Sequence, residues 1–196
     1  MSASARQQSG YHTIVALVAD KPGVLTRVAS LFRRRGFNIA SLAVGNSEIP
    51  GTSRMTFVVK GDRYTVDQAT KQLDKLIDVI RVSNISEEEI VSRELALIKV
   101  KSDVTTRGEI VEMVNLFRGK IVDVGARSVV IEITGEEDKI NAFHDLLKPF
   151  GIMELMRTGR VSMVRGKAEG RTSDQFGISY NGNSQVVDLV SEPGSY

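Results

Sequence analysis

Two hydrophobic rhythms alternate along this chain, and they do so twice in the same order. Residues 12–19, HTIVALVA, form an unbroken run of β-branched and apolar side chains, the mark of a buried strand. The rhythm then changes. Val24, Leu25, Val28, Leu31 and Phe32 recur at three- and four-residue spacing, which predicts a helix with one apolar side. Asp20 is placed to cap that helix, Pro22 suits its first turn, and Gly36 suits the residue just past its end. FNIASLAVG (37–45) and RMTFVVKG (54–61) read as strands around SEIPGTS (47–53), where a Pro-Gly pair marks a turn. Val66, Ala69, Leu73, Leu76 and Ile80 predict a second helix, and VIRVSNI (79–85) a closing strand. The order is βαββαβ.

The same order follows again. ELALIKVKS (94–102) reads as a strand. Thr106 and Glu109 form a capping-box pattern ahead of Ile110, Val111, Met113, Val114 and Phe117. KIVDV and SVVIEIT read as two more strands. Thr134 and Glu137 repeat the capping-box pattern, opening a helix that must end near Pro149. MELMRTGRVSMVRG (153–166) supplies a last strand, with an interruption at Gly159. Landmarks support the repeat. Leu31-Phe32-Arg33 matches Leu116-Phe117-Arg118 at an offset of 85, and Gly61-Asp62 matches Gly135-Glu136 at an offset of 74. The second copy is therefore about eleven residues shorter between its middle strands, where the first has its Ile-Pro-Gly loop. The expected fold is α+β: two ferredoxin-like βαββαβ units in tandem, at 11–86 and 93–166. An acidic linker, SEEEIVSR, joins them. Residues 167–196 are rich in Gly, Ser and Asn and lack periodicity, so a disordered tail is expected there, with Val186–Val190 as its one apolar stretch.

Charge and composition narrow the function. The net charge is only +2, from 26 basic and 24 acidic residues, with no basic stripe of the kind a nucleic-acid binder shows. The tail holds two basic and four acidic side chains, so the first 166 residues carry +4. No apolar run approaches the length of a membrane span, and MSASARQQSG lacks a signal-peptide core. There is no cysteine, which removes disulfides, thiolate metal sites and cysteine nucleophiles together. These features fit a cytoplasmic protein. His12 and His144 lie far apart and are expected to be structural or solvated. Glu87-Glu88-Glu89 reads as a solvated acidic run rather than a cation site. No phosphate loop, dinucleotide fingerprint or nucleophile elbow is present, and no metal site or catalytic constellation is expected.

The stretch DKPGVLTRVASLFRRRGFNI (20–39) carries the choice between nucleic acid and small molecule. An RNA-recognition module shares the βαββαβ order, and Arg35-Gly36-Phe37 imitates the start of its aromatic signature. That module stacks bases on two or three aromatics. Here Phe37 is followed by Asn38, Ile39, Ala40 and Ser41, the segment reads as the second strand rather than the third, and aromatics make up only 6% of the chain. A small molecule fits better. A helix start exposes unpaired N–H groups that suit a carboxylate. Gly23 permits close approach to the backbone, and Asn38 offers both a donor and an acceptor. On pattern alone, a plain tight turn at Gly23 and a local cap at Asn38 stand level with this reading.

DKPGVLTRVASLFRRRGFNIASLAVG resembles an ACT domain, a ligand-sensing module. Together with SRMTFVV, QLDKLIDVIRV, SRELALIKV, FRGKIVDV and PFGIMELMRTGRVSMVRG, it resembles the small regulatory subunits of acetolactate synthase (acetohydroxyacid synthase) across residues 11–166. The resemblance implies an N-terminal ACT domain, a C-terminal ACT-like domain and no active site. It implies a catalytic partner that uses thiamine diphosphate, magnesium and FAD, and no cofactor in this chain. It also implies activation of that partner, and feedback inhibition by valine or a related branched-chain amino acid. The implied homodimer sets ACT domains side by side with the effector at the interface. Carried over by position, the effector-binding residues are Asp20, Gly23, Val24 and Leu25 from one chain, and Asn38 and Ile39 from the other. Asp20 stands where some family members have Asn. The second domain lacks the Pro-Gly opening and is expected to have no such site. The competing expectation is a free-standing amino-acid-binding regulator that acts on another protein or on nucleic acid.

Overall fold

The computed structural model describes residues 10–166, so the tail and its Val186–Val190 stretch lie outside the described residues. These residues form two compact units. One spans 10–90 and takes in 164–166; the other spans 91–163.

The first unit follows the expected order: β1 (Gly10–Ala19), α1 (Val24–Arg35), β2 (Asn38–Asn46), β3 (Thr52–Gly61), α2 (Arg63–Leu73) and β4 (Val79–Asn84). The strands make an antiparallel sheet in the order β2-β3-β1-β4. Ile14, Ala16, Val18, Met55, Phe57 and Val59 point to one face, where they meet Val24, Val28, Leu31 and Phe32 of α1 and Val66, Ala69 and Leu73 of α2. Phe32 stacks on Phe57 with ring centroids 5.2 Å apart and meets Phe37 edge-on at 5.8 Å. Val15 and Leu17 are buried as well, which explains why β1 reads as a continuous apolar run rather than an alternating one.

Several local expectations are corrected. Leu25, counted with the apolar side of α1, is 47% exposed, because the core side is set by Val24, Val28, Leu31 and Phe32. The second helix stops at Leu73. Leu76 and Val79 each donate to the carbonyl three residues earlier, so two turns lead straight into β4, and Ile80 lies on that strand. Asp62, read from the sequence only as a landmark of the repeat, caps α2: its carboxylate accepts the Thr65 N–H at 2.8 Å.

The second unit comprises β5 (Ile90–Lys101), α3 (Arg107–Leu116), β6 (Lys120–Val124), β7 (Ser128–Gly135), α4 (Glu137–Leu147), a 3-10 turn over Lys148–Phe150, β8 (Ile152–Arg157) and β9 (Val161–Val164). Its sheet runs β6-β7-β5-β8, with β9 also paired to β5. The expected interruption at Gly159, which has φ +81°, separates β8 from β9. The linker is shorter than expected, since Ile90 already belongs to β5. Gly61 and Gly135, matched in the repeat, each end a strand one residue before a helix cap. A Cβ on either would meet the side chain four positions on, Thr65 at 2.8 Å and Lys139 at 2.5 Å, so a larger residue at Gly61 would displace Thr65, whereas the flexible Lys139 chain could move aside at Gly135.

Neither capping box forms. Thr106 and Glu136 are the residues at the helix starts of α3 and α4, and neither side chain caps. Thr134 instead remains in β7.

Candidate functional site

The turn from β1 into α1 leaves its helix start open. Gly23 is the N-cap, with φ +88° and ψ −10°, and no side chain caps the helix. Asp20, expected to cap, lies three residues too early; its own N–H goes to the Gly51 carbonyl at 2.8 Å, and its side chain is exposed. Pro22 also precedes the helix. The Val24 N–H reaches the Lys21 carbonyl only at 3.4 Å, and the first regular helical bond is Arg27 N–H to Gly23 C=O at 2.9 Å. Among the described residues, the N–H groups of Leu25 and Thr26 have no acceptor, and the first turn holds no acidic side chain. Unpaired N–H groups at the positive end of a helix make a site for a small anion such as a carboxylate. Val24 is buried beneath this turn, whereas Leu25 faces outward, where an open groove of about 390 Å³ runs along Leu25, Thr26, Ala29, Ser30 and Arg33.

The matching start in the second unit is closed by its own side chains. Asp103 accepts from the N–H groups of Thr105 and Thr106, both at 2.9 Å, and from both threonine hydroxyls. These bonds, led by the Thr105 hydroxyl, pull the Asp103 carboxyl down to about 2. The two repeats therefore treat the same position oppositely: α3 carries its own anion, and α1 has none.

The open turn is held from two sides. The Ala19 N–H donates to the Asp78 carbonyl and the Asp20 N–H to the Gly51 carbonyl, both at 2.8 Å. Gly51 belongs to the β2–β3 connection, the segment by which the first copy is longer. That connection is braced by Thr52 Oγ1 donating to the Ile49 carbonyl at 2.8 Å and by an Arg54–Glu48 ion pair at 3.0 Å. Glu48 stays below the usual carboxylate range, chiefly through its own main-chain N–H, with Ser47 and Arg54 adding to the effect against partial burial. Arg27, one helical turn into α1, sets its Nε 2.9 Å from Asp78 Oδ2. Sequence reasoning missed Gly51, Asp78 and Arg27. Only Arg27 carries a local signal, being four residues after Gly23 and so on the same side of the helix.

Asn38 and Ile39 do not join Asp20, Gly23, Val24 and Leu25 within one chain. Asn38 pairs with Lys60, which pairs with Tyr11, whereas Ala19 pairs with Thr52. Eight residues of strand separate the two levels, about 26 Å at 3.3 Å per residue. Asn38 is exposed and Ile39 half-buried, at the start of β2. That strand is an edge of the sheet, with a register shift between Ile39 and Ser41.

The remaining candidates behave as ordinary surface groups. Glu87 pairs with Arg63 at 3.5 Å, and His144 lies 3.3 Å from Asp145. Among the described residues, no three His, Cys, Asp or Glu side chains gather as a metal site, and no helix is long and apolar enough to cross a membrane. Arg35, at the end of α1, donates to Gln72 at 3.1 Å.

Comparison with known proteins matches both units. Residues 14–81 fit the model described as an AHAS small subunit-like ACT domain, and residues 93–166 that described as the small subunit of acetolactate synthase. The chain is 59% identical over 155 residues to a probable acetolactate synthase small subunit from Archaeoglobus fulgidus, covering 79% of this chain and 97% of that one. It is 56% identical to the acetolactate synthase small subunit of Mycolicibacterium smegmatis, covering 79% and 91%. The crystal structure of the acetolactate synthase small subunit from Thermotoga maritima superposes with a TM-score of 0.76 at 46% identity, covering 81% of this chain and 99% of that one. By both of its units and by its identity to these relatives along nearly their whole length, the chain belongs to the acetolactate synthase small-subunit family, with an ACT domain as its first unit.

Proposed function

We propose that this small subunit regulates the catalytic subunit of acetolactate synthase by raising its activity and making it sensitive to a branched-chain amino acid, valine foremost. Two copies join through the β2 edges of their ACT domains, and an effector is held where α1 of one copy meets Asn38 and Ile39 of the other. The observation that carries this reading is the placement of the two half-sites at opposite ends of one sheet. Antiparallel pairing of two β2 strands turns one copy end for end. It sets Asn38 of one copy beside the Gly45–Asn46 end of its partner, and Asn46 pairs with Ser53 at the same end of the sheet as the open α1 start.

The chemistry of the parts fits an α-amino acid. The unpaired N–H groups of Leu25 and Thr26 would take the carboxylate. Asn38 offers its amide, the Asp20 carboxylate is of the sign to attract an ammonium, and exposed Leu25 with Ile39 offers apolar surface for a branched side chain. Regulation then follows by linkage. An effector that binds one dimer arrangement more tightly shifts the population toward it, by no more than its differential affinity. The thiamine diphosphate, magnesium and FAD belong in this reading to the catalytic subunit, with which the chain works in the cytoplasm.

The test is reconstitution with the purified catalytic subunit from the same source. Acetolactate formation should rise on adding the small subunit and fall again with valine, and calorimetry on the small subunit alone should rank valine, leucine and isoleucine. A chain that neither activates the synthase nor binds any of the three ends the proposal.

A further inference from the structure

We infer that Arg27 is the residue that reads the effector's negative charge, held ready for that task by Asp78; this rests on the effector site proposed above. Arg27 leaves α1 one turn after Gly23 and lies over the open helix start. A Cβ placed on Gly23 would sit 3.9 Å from Arg27 Nη2. The guanidinium therefore lies beside Gly23, the residue from which the helix starts. No other charged side chain lies within 4 Å of that position.

The ion pair with Asp78 accounts for how the guanidinium is held, not for what satisfies it. Nε lies 2.9 Å from Asp78 Oδ2, close enough for strong attraction. The buried Oδ2 nevertheless has no hydrogen-bond partner among the described residues, so the N–H does not point at it. Distance and direction thus disagree. The distance shows a held charge, and the direction shows that the pair is not saturated. Asp78 is 13% exposed and Arg27 54% exposed, so one partner is fixed in the structure while the other opens to solvent. The exposed guanidinium can still offer its flat, bidentate edge to a carboxylate.

Asp78 also ties this charge to the turn itself, because its carbonyl accepts the Ala19 N–H at the end of β1. One residue therefore fixes both the backbone that enters the site and the cation above it. A carboxylate arriving at the Leu25 and Thr26 N–H groups meets a cation already placed beside the turn by Asp78. A neutral amide arriving at the same place gains much less from it. Arg27 thereby favours a free α-carboxylate over an amide, and so a free amino acid over a residue within a peptide.

The experiment compares L-valine with L-valinamide, which has the same side chain and no negative charge. Calorimetry is done on the full-length dimer of the wild type, Arg27→Gln and Arg27→Lys, with the dimer verified for each variant. Wild type should bind valine far more tightly than valinamide. Arg27→Gln should weaken valine about tenfold or more while changing valinamide little, so that discrimination shrinks, as expected for losing one charge-assisted contact. Arg27→Lys keeps the charge and should restore most of the discrimination. A purely structural Arg27 would weaken both ligands together and leave their ratio unchanged, which overturns the inference, as does a wild type that binds the two ligands equally. A wild type that binds no valine, leucine or isoleucine refutes the underlying effector reading instead.

Discussion

Replacing Gly23 with Ala isolates the backbone contribution at the helix start. Gly23 has φ +88°, in the region that L side chains adopt only with strain, and an added Cβ would meet nothing closer than Arg27 Nη2 at 3.9 Å. The steric term is therefore absent and the strain stands alone, at about 1–2 kcal/mol for an L residue held left-handed. A matched control exists on the same helix. Gly36 closes α1 at φ +68°, and a Cβ there meets nothing within 4 Å. Gly23→Ala and Gly36→Ala should thus lower the stability of the first unit by similar amounts, with a melting shift of roughly 4–8 °C per kcal/mol for a unit of this size. Only Gly23→Ala places that strain directly before the Val24, Leu25 and Thr26 N–H groups, so relief of it there would turn them out of line. Valine affinity, measured by calorimetry below the melting transition, should fall about tenfold in that variant and stay at the wild-type level in Gly36→Ala. Equal loss in both variants would mean that effector binding follows global stability, and the reasoning about an open helix start would be wrong.

Asn38→Ala should leave the dimer intact in sedimentation while weakening valine binding by roughly 1–3 kcal/mol, the range for leaving a polar group unpaired. For Asp103 the sign is fixed by its lowered pKa: its stabilising effect is complete above its ordinary value of 3.8 and is lost as pH falls towards about 2. Asp103→Ala should therefore melt earlier at neutral pH, show a flatter melting-versus-pH curve between 4 and 2, and bind valine as the wild type does. Phe32→Ala removes the ring packed between Phe37 and Phe57 and should cost about 3–5 kcal/mol, enough to unfold the first unit in mild denaturant.

The order of elements was legible because each strand and helix has its own apolar period, and the two copies share landmarks such as Gly61-Asp62 and Gly135-Glu136. What failed was local capping. Thr106 and Thr134 match a capping-box pattern, yet Asp103 supplies the anion at one helix and no side chain caps the other, because a short polar side chain binds whichever N–H the preceding turn presents. The overlong second helix has a similar cause: Leu76 and Ile80 keep helical spacing by coincidence across two turns and a strand. At the candidate site, Gly23 and Asn38 were readable from residue type. Their separation along the sheet required the strand register. The brace by Gly51 and Asp78 could not be read, since carbonyls from distant turns carry no side-chain signature.

In the proposed dimer each effector site is shared between two chains. The most direct measurement is valine binding by a mixed dimer of one Gly23→Ala chain and one Asn38→Ala chain, purified through two different tags. In either homodimer every site carries one lesion. In the mixed dimer one site carries both lesions and the other carries none. The mixed dimer should therefore regain one site of wild-type affinity per dimer. A mixed dimer that binds valine as weakly as its two parents would contradict a shared site.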